Sequence, residues 1–362
     1  MRTIQMSSYT VGEDCFEAIP AALSPYRART VVLVGGRRAL AAAAPGIRAA
    51  LDDTDVQIID EIVYGTDSTQ SAIDALVSNP AFRAADVAFA IGGGKAIDTV
   101  KTAAKELDKT VFSVPTICSN CSSATAIAVV YNDDHSLKGY AYPDAPAHIF
   151  INPAIIATAP EEYFWAGIGD ALSKQPEVEY ATSGGSLTHT GALGLALAHT
   201  CTEPLMTFGE QGLADVRANR ASEAVKQIAL DIVVNTGYVS NLTNQPDFYY
   251  NSSLAHAFYN ATTGIPRGNR PYLHGEVVSF GVLVLFAYIG DTEQLERYAA
   301  FNKKLGLPVT LAELDLDESH LPRIAELAKN TNEWKQGNPE PFTSAAFTEA
   351  IKTADAFGKS LA

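Results

Sequence analysis

Up to about residue 155, short β-branched runs alternate with helical stretches, the pattern of parallel strands joined by crossover helices. The expected strands are Thr30–Val34, Val56–Ile59, Val87–Ile91, Thr110–Val114 and His148–Asn152, each running into Gly, Pro, Asn or Asp. Ala126–Tyr131 is another β-like run, and after the turn-rich Asn132-Asp133-Asp134 it can pair with Tyr140–Tyr142 as a small hairpin. From Pro160 onward the pattern changes to long helical stretches, such as Ala221–Asn241, and no strand is expected. The periodicity therefore predicts an α/β domain with a parallel sheet over residues 1–156 and an all-α domain over residues 157–362.

Composition fits this division. A chain of 362 residues favours two domains, and 47% apolar with 19% charged residues is a globular balance. The apolar run Phe280–Tyr288 is far shorter than the ~20 residues that cross a bilayer. Polar residues in Met1–Met6 stand where a secretion signal would carry its apolar core, so a cytoplasmic protein is expected. The net charge of −15 argues against nucleic acid and acidic membranes, whose affinity comes from Lys and Arg. Four cysteines are too few for a disulfide framework, and the lone pair Cys118-x-x-Cys121 is expected to be reduced and free of structural metal. The expected partners are a small-molecule substrate and further copies of the chain.

Two constellations carry chemistry. Gly92-Gly93-Gly94-Lys95 follows a strand and opens a helix, where glycines let the backbone approach a phosphate and free N–H groups face it. A tight turn without a ligand would satisfy the same glycines. Asp170, His256 and His274 offer one carboxylate and two imidazoles, the histidines 18 residues apart and hence on different helices. Such a trio suits zinc or ferrous iron and leaves a coordination position open. Taken singly, Asp170 is equally a helix cap, His256 a satisfied core histidine and His274 a neighbour of a turn glycine.

Taken together, and in order, G-G-G-x-x-x-D-x-x-K, Pro115-Thr116-Ile117, G-x-G-D-A-L, A-H-A and L-H-G-E resemble the iron-containing alcohol dehydrogenase superfamily across essentially the whole chain. Within it, the glycerol dehydrogenase branch is the most similar. The resemblance implies an N-terminal dinucleotide-binding domain, a helical metal-binding domain and a cleft holding the nicotinamide near the metal. It implies cofactor contacts at Gly92, Gly93, Gly94, Lys95, Asp98, Thr116, Ser119, Thr125, Ile127 and Tyr131, and metal ligands at Asp170, His256 and His274. No dedicated catalytic side chain beyond the metal is expected.

Departures from the family pattern refine the expectation. Cys121 stands where glycerol dehydrogenases carry a substrate-binding aspartate, and the same position is cysteine in the branch's hydroxycarboxylate dehydrogenases. Cys121 is therefore the candidate substrate residue, and a small 2-oxo acid or a simple carbonyl compound the expected substrate. Tyr259 replaces a second histidine, and Gln175-Pro176 interrupts a helix that relatives continue. Gly36, followed by Arg37 and Arg38, stands where NAD-preferring relatives place an aspartate, which favours NADP(H) over NAD(H) because arginine pairs with the 2′-phosphate. The alternatives are a polyol dehydrogenase, a sugar-phosphate cyclase of the dehydroquinate synthase type, and a silent binding protein with this fold.

Overall fold

The computed structural model describes residues 3–268 and 270–361. They form two compact units, one built from the chain up to Glu161 together with Ala214–Gly237, the other from Glu162–Leu213 and from Tyr238 onward. The division differs from a single cut at 156/157, because residues 214–237 pack with the α/β portion that precedes them in sequence.

The first unit is organised by eight strands: β1 (Ser8–Val11), β2 (Thr30–Gly35), β3 (Gln57–Val63), β4 (Val87–Gly92), β5 (Thr110–Pro115), β6 (Ala128–Tyr131), β7 (Leu137–Ala141) and β8 (His148–Ile151). Six of them make a parallel sheet in the order β1-β8-β5-β4-β2-β3. The central strands are buried on both faces. Val31, Leu33, Phe89 and Ile91 join one apolar layer, whereas Val32, Val34, Ala88 and Ala90 join the other. A period of two thus feeds two cores at once, which explains why these strands read as continuous apolar runs.

β6 and β7 form the expected antiparallel hairpin. β1 was not expected from the sequence: it is four residues long, half exposed and lies at the sheet edge, so burial imprints no alternation on it. β3 runs past Ile59 through Asp60 and Glu61 to Val63, because an edge strand can turn carboxylates to solvent.

Among its described residues the second unit is helical apart from a two-residue ladder, Asn244–Gln245 with Phe248–Tyr249, where no strand is expected from the sequence. Its central helix, His274–Ile289, is buried continuously from Gly275 to Phe286. The stretch expected as one helix over 221–241 is a helix over Glu223–Leu230, a π-helical turn over Asp231–Asn235 and a helix over Thr236–Thr243. Ahead of Pro176 the helix Glu161–Ala171 ends and a new one, Lys174–Thr182, begins. Proline then sits in a first turn, where its missing N–H breaks no intrahelical bond.

Candidate active site

In the first unit, the sheet order places β2 beside β4, and the helices that follow them leave in opposite directions. Helix Arg37–Leu51 covers one apolar layer on its way to β3, and helix Gly94–Glu106 covers the other on its way to β5. This is a topological switch point, where open parallel sheets bind ligands at the carboxyl ends of their strands. Both helices start on a glycine N-cap, Gly36 and Gly93, that gives no side-chain cap to the first N–H groups. Uncapped N–H groups on adjacent helix starts fit an anionic pyrophosphate.

The glycine turn is tied to its neighbours. Gly92 has φ of +147°, a conformation that side-chain-bearing residues rarely adopt, and its carbonyl accepts from Thr116 N–H at 3.1 Å. Ser119 is partly exposed in the loop beyond β5. Lys95 is paired with Asp67 at 2.9 Å, and its ammonium lies 5.6 Å from the Tyr131 ring centroid. Asp67 also contacts His135 Nδ1 at 2.8 Å.

Asp98 turns inward. Its oxygens accept from the Ser122 hydroxyl and from Val129 N–H (3.0 Å), and Lys101 lies 3.1 Å away. The buried Lys101 ammonium in turn donates to the carbonyls of Ser122, Thr125 and Ile127 at 2.8, 3.1 and 2.7 Å. The resemblance implies cofactor contacts at Asp98, Thr125 and Ile127; in the structure the Asp98 carboxylate and the Thr125 and Ile127 carbonyls belong to an internal lock that ties residues 122–129 together. Cys121, partly exposed, caps the short turn Ser122–Ala124 in this locked segment. None of the four cysteines is in a disulfide. Arg37 and Arg38 are exposed in the first turn after Gly36 and form no ion pair among the described residues.

In the second unit, three helices bring the predicted trio together by close backbone contact at small residues. A Cβ on Gly275 would lie 1.8 Å from the Ala166 carbonyl and 2.6 Å from Asp170 N, so only glycine lets His274 come this near to Asp170. A Cβ on Gly281 would lie 2.5 Å from the Ala255 carbonyl, beside His256. The G-D, A-H-A and H-G-E motifs are therefore packing motifs as much as ligand motifs.

The result is a compact donor set. One ligand atom from each of Asp170, His256 and His274 lies within 4.8 Å of the others. His274 Nε2 and His256 Nε2 stand 3.0 and 3.6 Å from the same oxygen, Asp170 Oδ1. Side-chain exposure rises from 10% at Asp170 through 17% at His256 to 36% at His274, so the site opens on the His274 side.

Glu177, which sequence reasoning missed, completes the arrangement. It is fully buried and accepts from Ser253 N–H (2.7 Å), His256 N–H (3.0 Å) and His256 Nδ1 (2.6 Å). Holding the proton on Nδ1 reserves Nε2, the atom facing Asp170, as the one that would ligate a cation in exchange for its own proton. Burial alone would lower the His256 pKa, but the Glu177 charge and the bonds to Asp170 and Glu177 push it up to about 10. Burial likewise opposes ionisation of Asp170, yet the two histidines hold its carboxyl well below the usual range. Two buried carboxylates around two imidazoles make a cavity that favours positive charge, and a divalent cation fits that donor chemistry.

Glu276 of the H-G-E motif has a different role. It caps its own helix by accepting from Leu273 N–H at 3.1 Å and takes both guanidinium nitrogens of Arg270.

Glycine-led helix starts at a switch point in one unit and an open two-histidine, one-carboxylate set in the other are consistent with a metal-dependent, nicotinamide-linked oxidoreductase. Comparison with known proteins agrees. A family model for iron-containing alcohol dehydrogenases matches residues 10–160. The chain is 32% identical over 312 residues to a glycerol dehydrogenase of Thermotoga maritima, covering 83% of each chain. It is also 32% identical over 247 residues to hydroxycarboxylate dehydrogenase A of Escherichia coli, covering 68% of this chain and 67% of that one. A crystal structure of a probable glycerol dehydrogenase from Sinorhizobium meliloti 1021 superposes over 100% of both chains, with a TM-score of 0.82 at 25% identity. The chain belongs to the iron-containing alcohol dehydrogenase family, in its glycerol dehydrogenase branch.

Proposed function

We propose that this dehydrogenase interconverts a small 2-oxo acid and the corresponding 2-hydroxy acid, that it prefers NADP(H), and that Asp170, His256 and His274 hold its one zinc or iron ion. When bound, the metal supplies Lewis acidity toward the carbonyl oxygen and the reduced nicotinamide supplies the hydride. The chain's part is binding and orientation. Glu177 fixes the His256 tautomer, and the glycine-led helix starts at Gly36 and Gly93 receive the pyrophosphate. Arg37, beside Gly36, pairs with a 2′-phosphate.

The observation that carries the substrate assignment is Cys121, a partly exposed residue immediately ahead of the locked 122–129 segment, where the resemblance puts an aspartate. A thiol neither accepts strongly from a polyol hydroxyl nor repels a substrate carboxylate. The hydroxycarboxylate dehydrogenase relative supports the same reading, whereas the glycerol dehydrogenase relatives favour a polyol. A panel of 2-oxo acids, simple aldehydes and glycerol, assayed with both cofactors, tests it. Higher kcat/KM for a 2-oxo acid than for glycerol is expected, and Cys121→Asp should lower that ratio at least tenfold. A wild type that oxidises glycerol and reduces no 2-oxo acid would overturn the assignment.

A further inference from the structure

Beside the trio, two groups capable of binding an anion are left without an anionic partner. Tyr259 lies one helical turn beyond His256 on the helix Leu254–Thr262, and its ring stands edge-on to His274, with centroids 4.1 Å apart at 80°. The residue is mostly covered, yet its hydroxyl makes no hydrogen bond among the described residues. Nor is that oxygen one of the sealed, unpartnered atoms of the interior, so it faces accessible space.

One further turn along, Thr262 donates to the Tyr259 carbonyl at 2.8 Å and receives Arg267 at 3.3 Å. Arg267 is partly buried, lies 4.4 Å over the Tyr272 ring and donates to the Leu314 carbonyl at 3.2 Å. It forms no ion pair among the described residues. The acids around it are engaged elsewhere, Glu276 by Arg270 and Asp315 by the Tyr272 hydroxyl. A partly buried guanidinium held only by long bonds to neutral oxygens is an incomplete anion site, since buried charges are normally paired. His256, Tyr259 and Thr262, the last of which receives Arg267 from beyond the helix end, thus follow one another along the helix at intervals of about a turn.

We propose that Tyr259 and Arg267 recognise the carboxylate of the substrate at the metal trio, the phenol by donating a hydrogen bond and the guanidinium by pairing with its charge. This rests on the 2-oxo-acid reading and deepens it by naming the residues that select an acid over a neutral carbonyl compound. Arg270, although nearby, is excluded because its charge is already paired with Glu276 through both terminal nitrogens.

The test uses full-length, metal-loaded protein and oxamate, an unreactive isostere of a 2-oxo acid, with binding measured calorimetrically and metal content determined on each sample. Arg267→Gln should weaken oxamate about ten- to a hundred-fold, the range for loss of a charge-assisted bond, and Tyr259→Phe about three- to tenfold. The ratio of kcat/KM for pyruvate over neutral hydroxyacetone should fall at least tenfold in Arg267→Gln, with metal retained. Arg267→Lys keeps the charge but loses the planar fork stacked on Tyr272, so it should retain at least about threefold more oxamate affinity than Arg267→Gln, which guards against a merely structural effect. Unchanged oxamate affinity and ratio in both Arg267→Gln and Tyr259→Phe would overturn the proposal while leaving the substrate class standing. So would an equal loss in Arg267→Lys and Arg267→Gln. Failure of the wild type to reduce any 2-oxo acid would instead overturn the substrate class, and this assignment with it.

Discussion

Replacing Glu177 with glutamine tests whether the trio depends on an oriented imidazole. The change is isosteric, and one amide oxygen can still accept from Ser253 and His256 N–H, as Oε1 does now at 2.7 and 3.0 Å. The other oxygen, 2.6 Å from His256 Nδ1, becomes an NH2 group. Nδ1 must then accept rather than donate, and the ring proton moves to Nε2, the atom that faces Asp170. Loss of such a supporting partner costs ten- to a hundred-fold in metal affinity, or about 1.4–2.8 kcal/mol. A competition titration of apo-protein against a chromophoric zinc chelator at constant pH measures this directly. Glu177→Gln should bind zinc at least tenfold more weakly, while thermal unfolding of the apo-protein shows the fold intact. Zinc affinity within twofold of wild type would refute the orientation argument.

Two other substitutions probe the first unit. Gly36→Asp should lower the NADPH-to-NADH ratio of kcat/KM about tenfold or more, because a carboxylate there repels a 2′-phosphate. Space exists for it, since a Cβ at Gly36 meets only Tyr64 Cε1 at 4.0 Å, and a wild-type preference for NADH would refute the premise. Asp231 is buried with Oδ2 unpartnered, and burial raises its carboxyl pKa well above the usual range. The native state therefore holds a proton that the unfolded chain releases. Its contribution to stability is full below the ordinary carboxylate pKa and is lost as pH rises through the raised one, by up to about 1.4 kcal/mol per pH unit. Asp231→Asn should flatten that alkaline loss in urea unfolding from pH 5 to 9; identical slopes would contradict it.

Much of the fold was legible because the central strands are buried on both faces and end in turn residues, and because a run of glycines occupies a strand-to-helix turn. β1 was not, since a half-exposed edge strand carries no alternating pattern. The grouping of 214–237 with the α/β unit depends on contacts far apart in sequence, which periodicity does not encode. At the candidate site, Asp170, His256 and His274 were legible only as motifs; singly each had an ordinary structural reading. Glu177 follows Asp170 by seven residues across a helix break, and nothing in that spacing marks it as the partner of His256. Asp98 shows the converse, a family motif residue whose oxygens this structure commits to Ser122, Val129 and Lys101.

The central claim is that Asp170, His256 and His274 hold one divalent metal ion required for carbonyl reduction. Its most direct test is the metal content of wild type and His256→Ala after reconstitution with zinc or ferrous iron, determined by elemental analysis beside the rate of nicotinamide oxidation. The account predicts one ion per chain and turnover in the wild type, with metal and activity lost together in His256→Ala, because a three-ligand site rarely survives loss of one ligand. Full metal content and normal turnover in that variant would contradict it.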